Sequence, residues 1–278
     1  MVERLKQAID KARAQREGEA AGRAASGPGA APASPAAAPT EASALWESLR
    51  EVELSAGQLH RSRIVTYAKT DVAHIPFDLL RTRLLKVFRD NGWRRIAITS
   101  PTKGCGKTLV ATNLAFSFAR QPDLKTLLVD MDLKAPTISR ILGLKEVSPI
   151  AWFLNGQTPL ESAVVRFGDN LALALNGERV RDSTELIQDE MTSKRLDAAV
   201  KRLDPDIVIY DLPPMLVSDD AIAFMDQVDC VLMVAAGGQT KAKEIEYCEQ
   251  MFVDHVNFLG VLLNKGEDDV SGRAYEYA

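Results

Sequence analysis

Histidine and cysteine are scarce in this chain of 278 residues, with three of each. His60, His74 and His255 stand far apart, at none of the spacings that gather metal ligands, so no histidine-built metal centre is expected. Cys105, Cys230 and Cys248 are odd in number and contain no CxxC pair, which excludes a disulfide framework and fits reduced thiols. Long apolar runs are missing too. No stretch reaches the roughly 18 residues that span a bilayer, and the opening Met-Val-Glu-Arg-Leu-Lys-Gln has no apolar signal core. The chain is therefore expected in the cytoplasm without a direct membrane span, any membrane contact being made through a partner. Nor is there an excess of positive charge. Lys and Arg number 34 against 38 Asp and Glu, a net charge of -4, which argues against a nucleic-acid binder with a broadly basic surface.

What is present is organised in blocks. Over residues 2–16, Val2, Leu5, Ala8, Ile9 and Ala12 recur at helical spacing, so residues 1–17 read as an N-terminal amphipathic helix. Its narrow, alanine-rich stripe needs a partner, and a docking helix and a frayed tail remain open readings. Residues 18–43 are Ala, Gly, Pro and Ser with almost nothing large, the composition of a flexible linker. Residues 44–265 read as one folded domain, and 266–278 as a short polar tail. Within the domain, Phe77–Phe88 carries an apolar helical face. Short apolar runs at Arg95–Thr99, Thr126–Val129, Leu171–Leu175, Ile207–Tyr210, Cys230–Val234 and Phe258–Leu263 then alternate with helical segments. Those segments are Lys107–Ala119, Thr184–Leu203, Asp219–Met225 and Lys241–Phe252. This alternation predicts an α/β fold, a parallel sheet with helices on both faces. Such sheets bind ligands at the carboxyl ends of their strands.

The first of these strands runs into Ser100-Pro101-Thr102-Lys103-Gly104-Cys105-Gly106-Lys107-Thr108, and a helix follows at once. Small residues let backbone N–H groups turn inward on phosphates, and Gly104 and Gly106 supply them. Lys107 offers a point charge for the β- and γ-phosphates, Thr108 a hydroxyl for Mg²⁺, and the helix its positive dipole end. Lys103 and Cys105 complete the loop. The strict phosphate-loop pattern has glycine where this chain has Pro101. Asp130 and Asp132 follow the second strand and Asp211 ends a later one, so all three carboxylates are expected beside the loop. One or two would serve Mg²⁺, leaving a third to accept a proton from an attacking hydroxyl. A capping role for Asp132 on a helix near Ala135–Leu142 is the competing reading.

Together these segments resemble the bacterial tyrosine kinase (BY-kinase) family, cytoplasmic capsule and exopolysaccharide type, over about Ile64 to Lys265. The resemblance rests on Thr99-Ser100 before Gly-Lys-Thr, Asp130-Met131-Asp132-Leu133-Lys134-Ala135-Pro136 and Asp211-Leu212-Pro213-Pro214. Glu185-Leu186-Ile187, Asp220-Ala221 and Leu262-Leu263-Asn264-Lys265 extend it. It implies a P-loop NTPase-type fold and an ATP- and Mg²⁺-dependent tyrosine autokinase regulating polymer synthesis and export. It further implies metal binding and base catalysis by Asp130 and Asp132 in an unassigned order, Mg²⁺ ordering through water by Asp211, and adenine contact by Asn264. Tyr275 and Tyr277 would be phosphoacceptors for a neighbouring subunit of a homo-oligomer. The implied partner is a membrane-embedded polysaccharide chain-length co-polymerase that activates the kinase and recruits it to the inner face of the cytoplasmic membrane. The chain departs from the family at Lys134, usually arginine, and at Leu212, usually threonine or serine. In the helix resembling the family's self-association element only Arg81 matches, with Ile75 and Asp78 at the other two charged positions.

Two other functions use the same motifs. A positioning ATPase of the Min or Par type would carry a signature lysine five residues before Lys107, where this chain has Thr102, and the Min type would end in a basic amphipathic helix rather than an acidic tail. An ATP-binding switch or a catalytically weak adaptor of the polysaccharide machinery would keep the site without phosphorylating tyrosine.

Overall fold

The computed structural model describes residues 40–253 and 255–266. The helix read over residues 2–16, the linker up to residue 39 and the tail tyrosines Tyr275 and Tyr277 lie outside the described residues.

Regular structure begins before residue 44. The Thr40 hydroxyl accepts the Ser43 N–H at 3.2 Å and caps a helix, Glu41–Ser48, so the segment read as linker to residue 43 is already helical at its end. The cause is Trp46. It is buried, donates its indole N–H to the Leu203 carbonyl at 2.6 Å, and carries the Lys125 ammonium 4.6 Å over its ring. Burying one large aromatic anchors a short alanine-rich helix that could not stand alone.

The described strands are β1 (Arg50–Glu51), β2 (Arg95–Thr99), β3 (Thr126–Asp130), β4 (Val164–Phe167), β5 (Leu171–Ala174), β6 (Ile207–Asp211), β7 (Cys230–Ala236) and β8 (Asn257–Asn264). They form one sheet in the order β1-β4-β5-β3-β6-β2-β7-β8. The six strands expected from the sequence are all present. The sheet is not wholly parallel, because β4 runs antiparallel to β5 while the other pairs are parallel. A tight turn at Asn170 joins β4 to β5, too short for the crossover a parallel pair needs.

Side chains alternate across the sheet as a strand requires. Ile96, Ile98, Leu128 and Ile209 enter one apolar core, while Ala97, Leu127, Val129 and Val208 enter the other. Both faces are covered, so the strands read as continuous apolar runs. The helix Lys107–Ala119 follows β2 with the bounds expected. The single helix expected over 184–203 is two, Ser183–Gln188 and Glu190–Leu203, because the Asp189 carboxylate accepts the Met191 N–H at 2.9 Å and caps the second.

The helix Ile75–Asn91 packs on this frame through Leu84 and Phe88. Its Asp78 carboxylate holds Arg81 at 3.0 Å, Arg120 at 2.6 Å and the Ser117 hydroxyl at 2.7 Å. Burial works to raise the Asp78 carboxyl, but the Ser117 bond and the two guanidinium groups prevail and hold it below the usual range. Arg81 is thus engaged within its own subunit. No helix of the described residues is long and apolar enough to cross a membrane.

Candidate functional site

Adjacent strand ends make the site. β3, β6 and β2 are neighbours, with Asp130 opposite Asp211 and Ile98 also opposite Asp211. The loop after β2 therefore opens beside the carboxylates that end β3 and β6. Its shape requires glycine: φ is +82° at Gly104 and +93° at Gly106, where any side chain is strained. Gly106 is also tightly approached, since a Cβ there would lie 2.2 Å from the Asn264 amide nitrogen. That nitrogen donates to the Cys105 carbonyl at 2.9 Å, and Lys265 Nζ donates to the Gly104 carbonyl at 2.7 Å. The end of β8 thus clasps the loop; the Asn264 amide expected at adenine is engaged on the loop backbone. On the other side, Thr99 Oγ1 donates to the Pro213 carbonyl at 2.7 Å and Met215 N–H to the Ser100 carbonyl at 2.8 Å. Pro101, where glycine is usual, accepts the Leu216 N–H at 3.0 Å.

Lys107 lies inside the acidic cluster. Its ammonium is 2.7 Å from Asp132 Oδ2, 3.5 Å from Asp211 Oδ1 and 3.2 Å from the Thr108 hydroxyl. Burial alone would pull this ammonium down; the surrounding Asp211, Asp132 and Asp130 charges outweigh it and hold the pKa above its ordinary value. Asp130 and Asp211 are pushed up, first by burial and then by a neighbouring carboxylate, Asp211 for Asp130 and Asp132 for Asp211. The capping role considered for Asp132 is divided. Asp132 Oδ1 accepts the Ala135 N–H at 3.1 Å, while Asp130 Oδ2 accepts those of Thr137 and Ile138, both at 3.2 Å, at the start of the helix Ile138–Leu142.

Asp130 Oδ1 and both Asp211 oxygens are buried without a hydrogen-bond partner, the Lys107 ammonium standing off at 3.5 Å from Asp211 Oδ1 as an ion-pair neighbour. Buried carboxylate oxygens in that state call for a cation. Hard oxygens beside a hydroxyl suit Mg²⁺, which binds one or two carboxylates and keeps the rest of its shell as water and phosphate. The described residues contain no group of three or more His, Cys, Asp or Glu placed to hold a metal ion by themselves.

Above the cluster lies a cleft of about 670 Å³ walled by the loop, Asp132, Lys134, Arg140, Arg179, Pro213, Pro214 and Lys265. Asp130 and Asp211 are fully buried beneath it. Lys134, at the family's arginine position, donates to Asp220 Oδ1 and Ser218 Oγ at 2.9 Å each and to Thr184 at 3.1 Å. Burial would raise the Asp220 carboxyl, but Lys134 and the Thr184 and Ser183 hydroxyls hold it low. The Cys105 thiol is buried in the loop, 3.3 Å from the Thr102 carbonyl and 3.5 Å from the Thr240 hydroxyl; hydrogen bonds there outweigh burial and lower its pKa. Arg140 and Arg179 escaped the sequence reading because no local motif marks them. Asn176, also unmarked, is buried and ties three segments: its amide donates to the Asp130 carbonyl at 2.8 Å, its side-chain oxygen accepts the Ala151 N–H, and its own carbonyl accepts Ser139 Oγ.

A loop with glycines at positive φ, running into a helix that starts on Lys107 at the carboxyl end of a parallel strand, defines a P-loop nucleotide-binding protein. Residues 96–276, well over half the chain, match the family model described as the CobQ/CobB/MinD/ParA nucleotide binding domain. The tyrosine-protein kinase CpsD of Streptococcus pneumoniae serotype 4 is 30% identical over 173 residues, 61% of this chain and 75% of that protein. The kinase domain of Escherichia coli tyrosine kinase ETK superposes with a TM-score of 0.67 at 27% identity, covering 77% of this chain and 84% of that one. The septum site-determining protein MinD of Pyrococcus horikoshii OT3, solved with Mg-ADP, shares the fold at TM-score 0.51 and 23% identity, over 62% of this chain and 70% of that one. The chain belongs to this nucleotide-binding family and, within it, to the bacterial tyrosine kinases.

Proposed function

We propose that this protein is an ATP-dependent protein-tyrosine kinase that regulates capsule or exopolysaccharide synthesis and export. In this reading it works at the inner face of the cytoplasmic membrane with a membrane-embedded chain-length co-polymerase, and phosphorylates Tyr275 and Tyr277 of a second copy. The observation that carries the chemistry is the Lys107–Asp132–Asp211 cluster, with unpartnered carboxylate oxygens beneath a cationic cleft. Kinship with proteins named tyrosine-protein kinase supports tyrosine as the acceptor.

The backbone N–H groups of Gly104–Thr108 and the Lys103 ammonium receive the triphosphate. Lys107 leaves Asp132 for the β- and γ-phosphate oxygens, where opposite charge compensates it better than in the empty site. Thr108, Asp130 and Asp211 would hold Mg²⁺, directly or through water, and the metal would supply charge neutralisation on the phosphates. The phenol oxygen of tyrosine attacks the γ-phosphorus in line. A new O–P bond forms, the bond to the β,γ-bridging oxygen breaks, and ADP departs with that electron pair. Asp132, released from Lys107 and facing the cleft, accepts the phenolic proton. Asp130 is fully buried, and its outer oxygen anchors the helix Ile138–Leu142. Its part is to position the loop and contribute Oδ1 to the metal.

A switch ATPase is the second reading, favoured by the MinD/ParA members of the matched family. Thr102 in place of their signature lysine weighs against it. Incubation of the full chain with γ-labelled ATP, with and without the membrane partner, decides between them. Label mapped to Tyr275 or Tyr277, and lost in Lys107→Met, is the kinase result. Phosphate release with no labelled tyrosine indicates the switch, and binding without turnover the adaptor.

A further inference from the structure

We infer that Arg140 and Arg179 form a recognition rim that selects tyrosines flanked by carboxylates, a specificity that rests on the kinase reading above. Six cationic side chains line the cleft: Lys103, Lys107, Lys134, Arg140, Arg179 and Lys265. Three are committed. Lys107 is held by Asp132, Lys134 by Asp220, and Lys265 by the Gly104 carbonyl. Lys103 belongs to the phosphate loop. Arg140 and Arg179 remain, exposed and with no carboxylate within ion-pair distance among the described residues.

Their placement separates them from the β8 side of the phosphate loop. The loop is clasped from the β8 side by Asn264 and Lys265, whereas Arg140 follows β3 and Arg179 follows β5, on the opposite side of β2 in the sheet order. Arg140 and Arg179 therefore wall the part of the cleft away from the β8 clasp, where an acceptor beside the phosphate loop can meet them. Both arginines stand on fixed backbone. Asp130 caps the start of the helix bearing Arg140, and the Val180 N–H donates to the Leu133 carbonyl at 2.9 Å beside Arg179. A guanidinium grips a carboxylate through two parallel bonds, which an ammonium cannot do. The matching chemistry is written in this chain. Residues 267–278 set Glu267, Asp268, Asp269 and Glu276 around Tyr275 and Tyr277, with Arg273 as the sole base.

The test uses the full chain with two labelled peptides: the sequence of residues 267–278, and the same peptide with its four acids replaced by amides. Anisotropy with MgADP-loaded protein should favour the acidic peptide by about tenfold, and R140Q/R179Q should abolish the preference without weakening the amidated peptide. In kinase assays the double variant should raise KM for the acidic peptide about tenfold with little change in kcat, and R140K/R179K should restore only part of the loss. Affinity for a fluorescent ATP analogue should hold within about twofold. Equal binding of both peptides by the wild type, or ATP-analogue affinity falling in step with peptide affinity, overturns the inference. Selective, arginine-dependent binding with no tyrosine phosphorylated leaves the rim standing and removes the kinase reading. Phosphorylation indifferent to the flanking charge does the reverse.

Discussion

Replacing Gly106 with alanine tests the clasp between β8 and the phosphate loop. At φ +93° an L-residue is strained, at a cost of about 1–2 kcal/mol. The new Cβ would lie 2.2 Å from the Asn264 amide nitrogen, so the amide must move and its bond to the Cys105 carbonyl is lost, about 1 kcal/mol more. Gly106→Ala should therefore cost ~2–3 kcal/mol of ligand-free stability, and Asn264→Ala, which only removes the bond, ~1 kcal/mol. In the double variant the bond can be lost only once. Its cost should stay near that of Gly106→Ala alone, leaving a coupling of about 1 kcal/mol in the cycle. Urea unfolding of the four proteins without nucleotide measures this directly. Costs that simply add, within about 0.5 kcal/mol, would refute the shared contact.

Lys107→Met should leave the acidic cluster without its cation, destabilising the empty protein by ~3–5 kcal/mol, and millimolar Mn²⁺ should raise the variant's Tm more than the wild type's. Equal Tm shifts in the two proteins would remove Lys107 from the cation position. Asp211→Asn should stabilise the empty fold by ~1 kcal/mol, a Tm rise of roughly 2–4 °C, while abolishing Mg²⁺-dependent nucleotide binding. The sign follows from the raised Asp211 carboxyl, since an acid that holds its proton more tightly when folded makes stability fall as pH rises. The gain should thus vanish below the unfolded value of about 3.9 and be full above the folded one, as melts at several pH values would show. Trp46→Ala should cost ~3–5 kcal/mol by calorimetry, and a loss within about 0.5 kcal/mol would remove Trp46 as the anchor of the helix Glu41–Ser48.

The phosphate loop, the three aspartates and the helix Lys107–Ala119 were legible because each is a local pattern: an apolar strand, a turn chemistry, a helix start. Their meeting followed from the rule that parallel strands present their carboxyl ends together. Other parts of the fold depended on distant partners. The helix Glu41–Ser48 is Ala- and Ser-rich like the segment before it, and only the site awaiting the indole at Leu203 gives it structure. The reversal at β4 hid in a mixed run, Val164-Val165-Arg166-Phe167, whose Arg166 pairs with Glu51 across the sheet at 2.9 Å. At the site, Arg140 and Arg179 are separated in sequence by two helices and two strands, so no window of residues could place them on one cleft. The engagement of Asn264 with the loop was invisible for the same reason, since Cys105 lies 159 positions away.

The buried amide of Asn176 has a mechanical consequence. Its side chain holds the Asp130 carbonyl and the Ala151 N–H, and its own carbonyl holds the Ser139 hydroxyl, so the segment leading to Arg179 and the strand end that bears the carboxylates are a single casting. A ligand held by Arg179 would therefore be aligned with the carboxylates by the fold itself, with no movement of one part against the other.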